Sequence, residues 1–269
     1  MFISSKENPT YKKLQHLASS RGRKKTGEFL IEGVRELSRA LEASVKVDMV
    51  VLSQSAAEKI DVLSAIKAAT TKQNTCILPD ALFQKISCRE NPDGVMGVAK
   101  VWACDFTCLK LKHDGLYLLV EHLEKPGNLG ALMRSAEATA VDGFFIADPA
   151  VDIFNPNVIR ASQGAVFSLP IYWGSSTYLL DLFQQSKLQL LATTPHTKCT
   201  YWECDMTLGS VICIGNEAFG LSDLWMQAAK KILIPMYGHS ADSLNAGVSG
   251  TLCLYEARRQ RQSVGKRFL

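Results

Sequence analysis

Three polar stretches, each following an apolar run, carry residue types from which a site could be built. The first is residues 121–134, EHLEKPGNLGALMR. Pro126 and Gly127 hold a turn, and Asn128 stands where it can cap the following helix. Arg134 comes six residues later, with a side chain long enough to return toward the same strand edge. Open backbone amides at a helix start attract phosphate or carboxylate. Taken alone, the stretch reads first as a capped helix with an arginine on its polar face. The second is residues 213–222, CIGNEAFGLS, where an apolar run ends in Gly215, Asn216, Glu217 and Gly220, with Ser222 as the next helix cap. A carboxylate at the lip of a buried strand either pairs for structural reasons, with Arg134 as a candidate partner, or recognises a ribose or an amine. The third begins at Ile234-Pro235-Met236, passes a polar loop over 238–242, and reaches Ser243-Leu244-Asn245 before the small-residue helix start AGVSGT. Gly247 and Gly250 weaken a helix relative to alanine, a loss tolerated where backbone must come close to a ligand or another chain. The far end of that helix is cationic (Arg258, Arg259, Arg261), as the helix dipole favours.

Several other chemistries lack their signatures. There is no GxGxxG, GxxxxGK[ST] or GxSxG, and the five histidines show no metal-binding spacing. His122 and His196, near predicted strand ends, are acid–base candidates, although lone histidines are more often structural.

The elements that must position these residues form two alternating series. Residues 1–101 predict a helix bearing Leu14, Leu17 and Ala18, a break at 21–27, a strand at 28–33 and a helix with Val34, Leu37, Ala40 and Leu41 at helical spacing. A strand at 47–52, a helix at 56–70, a strand at 75–78, a helix at 80–86 capped by Asp80 and a strand at 95–101 follow. The pattern lapses over 104–114, which reads as a linker between a domain at 1–103 and another at 115–269. The second series predicts strands at 116–120, 143–147, 166–172, 188–193, 211–214 and 231–234, with helices at 129–140, 157–165, 177–185, 222–229 and 245–261. All-apolar strands such as 116–120 belong to buried parallel sheets. Six of them with intervening helices predict an α/β open sheet, helices on both faces, with ligands beyond the carboxyl ends of the strands.

Composition sets outer bounds. Across 269 residues, 47% hydrophobic content and a mean hydropathy near zero fit a soluble globular protein with a real core. No apolar run is long enough to span a membrane, and the first residues lack a signal-peptide core. The expected location is therefore the cytoplasm, where the eight cysteines, none in a CxxC pair, should be reduced and structural. The net charge of +4 is mild, but residues 1–39 hold nine Lys/Arg against four acids, and the last 14 residues hold five against one. Basic ends on a near-neutral body suggest a polyanionic partner.

Jointly and in this order, the three stretches resemble the motifs of the SpoU-type (TrmH-like) RNA ribose 2'-O-methyltransferases of the SPOUT class. Asn128–Ala136 is similar to that family's first motif and Ile214–Leu221 to its second. Ile234-Pro235-Met236 with Ser243-Leu244-Asn245 and the Tyr255-Glu256 helix is similar to the third. The likeness covers about 150 residues. Residues 1–101, with FLIEGVREL at 29–37, resemble the small ribosomal-protein-like RNA-binding domain that often precedes it. One departure stands out: Ala246-Gly247 occupies the place of the family's usual Val-Ser. The resemblance implies a mostly parallel C-terminal sheet with a deep trefoil knot, a homodimer, and S-adenosylmethionine as methyl donor without a metal. It implies a catalytic set of Asn128, Arg134, Glu217, Ser243 and Asn245. It implies cofactor contacts around Thr193, Gly215, Asn216, Glu217, Ile234, Met236 and Leu244. It assigns RNA contacts to Arg21, Arg23, Lys24, Lys25 and Arg35, with ribosomal RNA favoured over transfer RNA. A non-catalytic RNA-binding or ribosome-assembly factor on the same fold is the alternative reading.

Overall fold

The computed structural model describes residues 1–59, 74–238, 240 and 243–263. In chain order its elements are α1 (Pro9–Leu17), α2 (Ser20–Thr26), β1 (Glu28–Glu32), α3 (Val34–Glu42), β2 (Val47–Ser53), α4 (Gln54–Ala57), β3 (Thr75–Leu78), α5 (Asp80–Ile86) and β4 (Val95–Lys100). Then come β5 (Leu116–Glu121), α6 (Pro126–Ala138), β6 (Gly143–Ala147), α7 (Pro156–Ala161), β7 (Ile171–Gly174), α8 (Ser176–Gln185), β8 (Gln189–Thr193), β9 (Ser210–Ile214), α9 (Asp223–Ala228), β10 (Lys230–Ile232) and α10 (Ala246–Ser263). The chain forms two compact units. One holds Met1–Ala103 with Asp152–Ser168, the other Cys104–Val151 with Leu169–Leu269. A domain contiguous over 1–103 therefore misses a returning segment. The helix expected over 56–70 lies largely outside the described residues; α4 occupies its start.

The first unit is a mixed sheet in the order β1-β4-β2-β3, with β4 antiparallel to both β1 and β2 and β2 parallel to β3. Tyr11, Leu14 and Leu17 of α1 are buried in its core with Leu30, Val51, Phe83 and Met96. The break expected at 21–27 is instead α2. Ser19 Oγ accepts from Gly22 N at 3.0 Å, satisfying an orphan amide of the first turn, and Gly27, at φ 67°, ends the helix. A Cβ on Gly22 would lie 1.8 Å from the His16 carbonyl oxygen, so only glycine lets the two helices approach this closely. Basic residues hid this helix because charge says nothing about backbone capping. Asp80 does not cap α5; its carboxylate accepts from the Ser55 amide at 3.1 Å.

The second unit is the six-stranded parallel sheet expected, in the order β10-β8-β9-β5-β6-β7. β5, β6 and β9 are buried along their whole length, as the apolar runs 116–120, 143–147 and 211–214 require. Phe145, Phe183 and Trp225 anchor one core cluster. The strand expected at 166–172 starts late. Gly164, at φ 85°, turns the chain into a 3-10 helix at Ala165–Phe167, and pairing begins only after Pro170. The stretch read as a linker is packed: Phe106, Leu109 and Leu111 lie against that core, and Cys104 Sγ accepts from Trp173 N at 3.1 Å. At the end of α10, buried Arg261 donates to the carbonyls of Met206 and Asp114 at 2.8 Å and of Gly115 at 3.1 Å. All eight cysteines are free thiols. Burial pushes Cys253 up to about 12 and raises Cys213 as well, keeping both protonated and unreactive.

Candidate active site

The carboxyl ends of β8 and β9 and the loops after them and after β10, with Lys125 of the loop after β5, line a cavity of about 630 Å³, within the range of roughly 300–1,000 Å³ of small-molecule sites. Its position obeys the rule for open parallel sheets. All seven residues expected to hold a cofactor line it: Thr193, Gly215, Asn216, Glu217, Ile234, Met236 and Leu244. Ser243 and Asn245 line it as well. Apolar side chains of Ile214, Leu221 and Met226 stand beside polar loop groups there, a mixed wall suited to a nucleoside with an aliphatic tail. Thr193 Oγ1 donates to the Cys213 carbonyl at 3.0 Å, so that hydroxyl is already engaged within the sheet.

Beside the cavity runs a chain of three side chains. Asn128 Nδ2 donates to Glu217 Oε1 at 2.6 Å, Asn245 Nδ2 donates to Asn128 Oδ1 at 2.9 Å, and Gly247 N donates to Asn245 Oδ1 at 2.8 Å. The polarity of the chain follows from its ends. An ionised carboxylate only accepts and a backbone amide only donates, so both asparagine amides can face only one way. Glu217 also accepts from Glu124 N at 3.3 Å. Burial alone would raise its pKa. The hydrogen bond from Asn128, with backbone donation around Glu217 itself, Glu124 and Lys125, outweighs burial and holds it below the usual carboxylate range. The carboxylate is thus ionised at neutral pH, and Asn128 is fixed from both sides.

Sequence alone offers Asn128 as a helix cap. The helix starts earlier, with Lys125 as N-cap and Pro126 in the first turn, so Asn128 is released to face Glu217 and Asn245. Asn245 combines both possible roles, serving the Gly247 amide with its oxygen and Asn128 with its nitrogen. Ala246-Gly247 therefore makes its helix-start hydrogen bonds without the family's usual Val-Ser. A Cβ at Gly247 would sit 3.0 Å from Asn245 Oδ1 and 3.6 Å from Ala131 Cβ. Gly250 lets α10 meet α6 closely, since its Cβ would fall 2.3 Å from a methyl of Leu132.

Arg134 does not join this chain. It is exposed and makes no hydrogen bond or ion pair among the described residues. Six residues along a helix amount to a rise of about 9 Å and a rotation of about 240° from Asn128, so the guanidinium leaves from another face. Ser243 is exposed and likewise bonds to nothing among the described residues. Asn216 is buried, and its side chain organises its own loop. Nδ2 donates to the His122 carbonyl at 2.9 Å, and Oδ1 accepts from Ala218 N at 2.8 Å and Phe219 N at 3.2 Å. Of the histidines, His196 lines the cavity rim, while His122 Nδ1 lies 3.1 Å from the Asp148 carbonyl.

Glu121 is a site residue that sequence reasoning missed. It ends β5 and is buried. It accepts from Ser222 N at 2.7 Å, Ser222 Oγ at 2.7 Å and Ser176 Oγ at 3.1 Å, which fixes the loop carrying Glu217 against the sheet. The one sign in the sequence is a carboxylate closing an all-apolar strand, LYLLVE.

Of the expected RNA contacts, Arg21, Lys24, Lys25 and Arg35 are exposed, and Arg35 is paired with Glu36 at 2.8 Å. Arg23 corrects the expectation. It is buried, its Nε paired with Asp152 at 2.7 Å and its Nη1 donating to the carbonyls of Leu17 and Ala18. It holds α1, α2 and the returning segment together and has no reach to solvent.

Residues 115–255 match the SpoU rRNA Methylase family, and residues 8–97 match the MRM3-like substrate binding domain. The chain belongs to the SpoU rRNA methylase family. It is 32% identical over 264 residues to a 23S rRNA (uridine(2479)-2'-O)-methyltransferase of Streptomyces viridochromogenes, covering 95% of this chain and 91% of that one. Among solved structures, an RNA 2'-O ribose methyltransferase superposes with a TM-score of 0.86 at 38% identity, covering 97% of this chain and 100% of the other. The SpoU methyltransferase AviRb of S. viridochromogenes, solved with its cofactor AdoMet, gives 0.84 at 30% identity over 95% and 100% of the two chains. The three polar stretches that suggested a site all fall inside the matched family segment.

Proposed function

We infer that this SpoU-family protein transfers a methyl group from S-adenosylmethionine to a ribose 2'-hydroxyl of ribosomal RNA. The single observation that carries the reading is the Glu217–Asn128–Asn245 chain on the edge of a cofactor-sized cavity. When bound, S-adenosylmethionine supplies an electrophilic methyl on a sulfonium, a leaving group that needs no metal. The cavity fits it: apolar walls suit its aliphatic part, and the loops after β8, β9 and β10 present backbone polar groups to a nucleoside. No group of three or more potential metal-binding side chains occurs among the described residues.

The protein's task is to place a poorly nucleophilic hydroxyl and to let its proton leave as the new O–C bond forms. Asn128 keeps one amide hydrogen and one lone pair beyond its two bonded partners, and these are the groups offered to the ribose hydroxyl. Glu217 and Asn245 prevent that amide from turning. The Arg134 guanidinium carries only donors and no acceptor, so we assign it to the phosphate beside the attacking ribose. Its exposure and its lack of a partner among the described residues suit a group that waits for substrate. Ser243 and Leu244 shape the wall between cofactor and substrate. Arg21, Lys24 and Lys25 supply phosphate contacts on the first unit.

Two further parts of the reading concern topology and assembly. A trefoil knot in the second unit is supported by the path of the chain. β10 is the sheet edge, yet α10, which follows it, packs on α6, β9 and β5 in the middle of the sheet. A homodimer is supported by α10, where Val248, Leu252 and Tyr255 leave an exposed apolar stripe at helical spacing. We place the protein in the cytoplasm with its ribosomal substrate; no described helix is long and apolar enough to cross a membrane.

The test is methyl transfer from labelled S-adenosylmethionine to ribosomal RNA lacking the modification, followed by nuclease mapping. Label on a ribose 2'-oxygen is expected. Cofactor binding without label on any RNA or assembly intermediate would favour the non-catalytic assembly factor.

A further inference from the structure

Phe219 has 88% of its surface exposed, more than any other large hydrophobic residue described. Lone exposed apolar side chains are ordinary, but this one is held rigidly. Asn216 and Gly220 form an antiparallel bridge, bonded Asn216 N to Gly220 O at 3.0 Å and Gly220 N to Asn216 O at 2.9 Å. Gly220 takes φ 72° to close the turn, and the Phe219 amide is tied to Asn216 Oδ1. A Cβ on Gly215 would lie 2.1 Å from the Gly220 carbonyl carbon, so the base of the turn is closed by backbone contact. The backbone that carries the ring is therefore fixed, and it places the ring in water.

Its place is as informative as its exposure. Phe219 lies on the cavity rim two residues from Glu217, the carboxylate that fixes Asn128. Lys125 stands on the same rim, exposed, with no ion pair among the described residues. A flat apolar face and a cation on the rim that also carries Glu217, the partner of Asn128, match the parts of one nucleotide: base, ribose and phosphate. Sequence-specific RNA recognition targets loops and bulges, whose unstacked bases lie against aromatic side chains, so a ribose presented from such a loop brings with it a base in need of a π surface.

We propose that Phe219 is the stacking platform for the base of the nucleotide being methylated, with Lys125 contacting its phosphate. This rests on the ribose-methyltransferase reading and adds the recognition element to it. Because every base has a π face, such a platform tolerates any base and contributes affinity without sequence choice.

The test compares wild type with Phe219→Ala, Phe219→Leu and Phe219→Trp on unmodified 23S rRNA, measuring KM for RNA and Kd for S-adenosylmethionine separately. Phe219→Ala and Phe219→Leu should raise KM for RNA by about tenfold, Phe219→Trp should restore it, and cofactor Kd should stay within about twofold of wild type. With 4-thiouridine in the RNA, ultraviolet crosslinks should map to Phe219. An unchanged KM with Phe219→Ala overturns the proposal, as does full rescue by leucine, which supplies apolar surface without a π face. A loss confined to cofactor affinity, or a change in oligomeric state by light scattering, would assign the ring elsewhere and overturn it too. Failure of wild type to methylate any ribosomal RNA would instead strike the parent reading.

Discussion

The buried polar cluster of the first unit and the candidate site of the second satisfy their polar groups differently. In the first unit, Arg23, Glu32 and Glu36 are buried and matched within the unit. Arg23 meets Asp152 and two carbonyls, Glu36 meets Arg35 and Arg89, and Glu32 accepts from Ser87 and Cys88. In the second unit, Arg261 and Glu121 are matched in the same way, but the polar groups of the candidate site gather at one end of a parallel sheet. There Asn128 and Asn245 keep hydrogen-bonding capacity beyond their partners, and Arg134 makes no bond to any described residue. A buried polar group that is fully matched holds a fold together. A fixed polar group with capacity left over, at a cavity, is what chemistry requires. Polar residue types alone do not separate the two sets; saturation of their hydrogen bonds does.

The comparison can be broken in order of effect. The largest should come from Asn128→Ala, which removes the group that we assign to the ribose hydroxyl. We expect kcat to fall about 10²–10³-fold, the scale for removing one preorganised polar group, with S-adenosylmethionine Kd nearly unchanged by calorimetry. Arg134→Ala should remove turnover likewise, and retained turnover in either variant would remove the assignment. Next is Arg23→Met, which leaves Asp152 and two carbonyls without their donor. Stability should drop by about 3 kcal/mol in urea unfolding, while folded protein keeps its RNA affinity and salt dependence. A reduced salt slope would return Arg23 to the RNA-binding group.

Neutralising Arg21, Lys24 and Lys25 together should be milder in stability and visible in binding. The slope of log K against log salt should shrink by about 0.7–0.9 for each RNA phosphate that the variant no longer neutralises. The smallest effect concerns pH. The Glu217 pKa is lowered in the fold, so the carboxylate remains ionised until the pH falls below the ordinary glutamate value of about 4.3. Activity should therefore show no acid limb from Glu217 above about pH 5. Glu36 is also held low: burial raises it, and donation by Arg35 and then Arg89 overcomes that. Its contribution to stability is present above the unfolded pKa and fades only as pH falls through the folded value. Glu36→Gln should therefore flatten the loss of stability below about pH 4.

Local sequence was sufficient wherever the signal was local. Unbroken apolar runs marked the parallel strands, because a strand covered on both faces has no polar side. Three polar stretches after such runs marked the site, because strand ends on an open sheet gather at one edge. Caps misled where several solutions competed. Asn128 could have capped a helix, but Pro126 already began it. The 21–27 stretch reads as a break, yet Ser19 and Gly27 close it as a helix.

What remained was decided by pairs of residues far apart in the chain. Glu217 and Asn128 are 89 residues apart, Asn245 and Asn128 are 117, and Arg23 and Asp152 are 129. The parallel sheet and the three polar stretches at its strand ends were legible in the sequence, since apolar runs and their spacing are local signals, and the family was legible through its resemblance. Only the tertiary structure decided that Arg23 is an internal tie, that Glu121 anchors the Glu217 loop, and that Asn128 is oriented from both sides. Whether a polar group is saturated or left with capacity depends on its neighbours in space, and no periodicity along the chain records them.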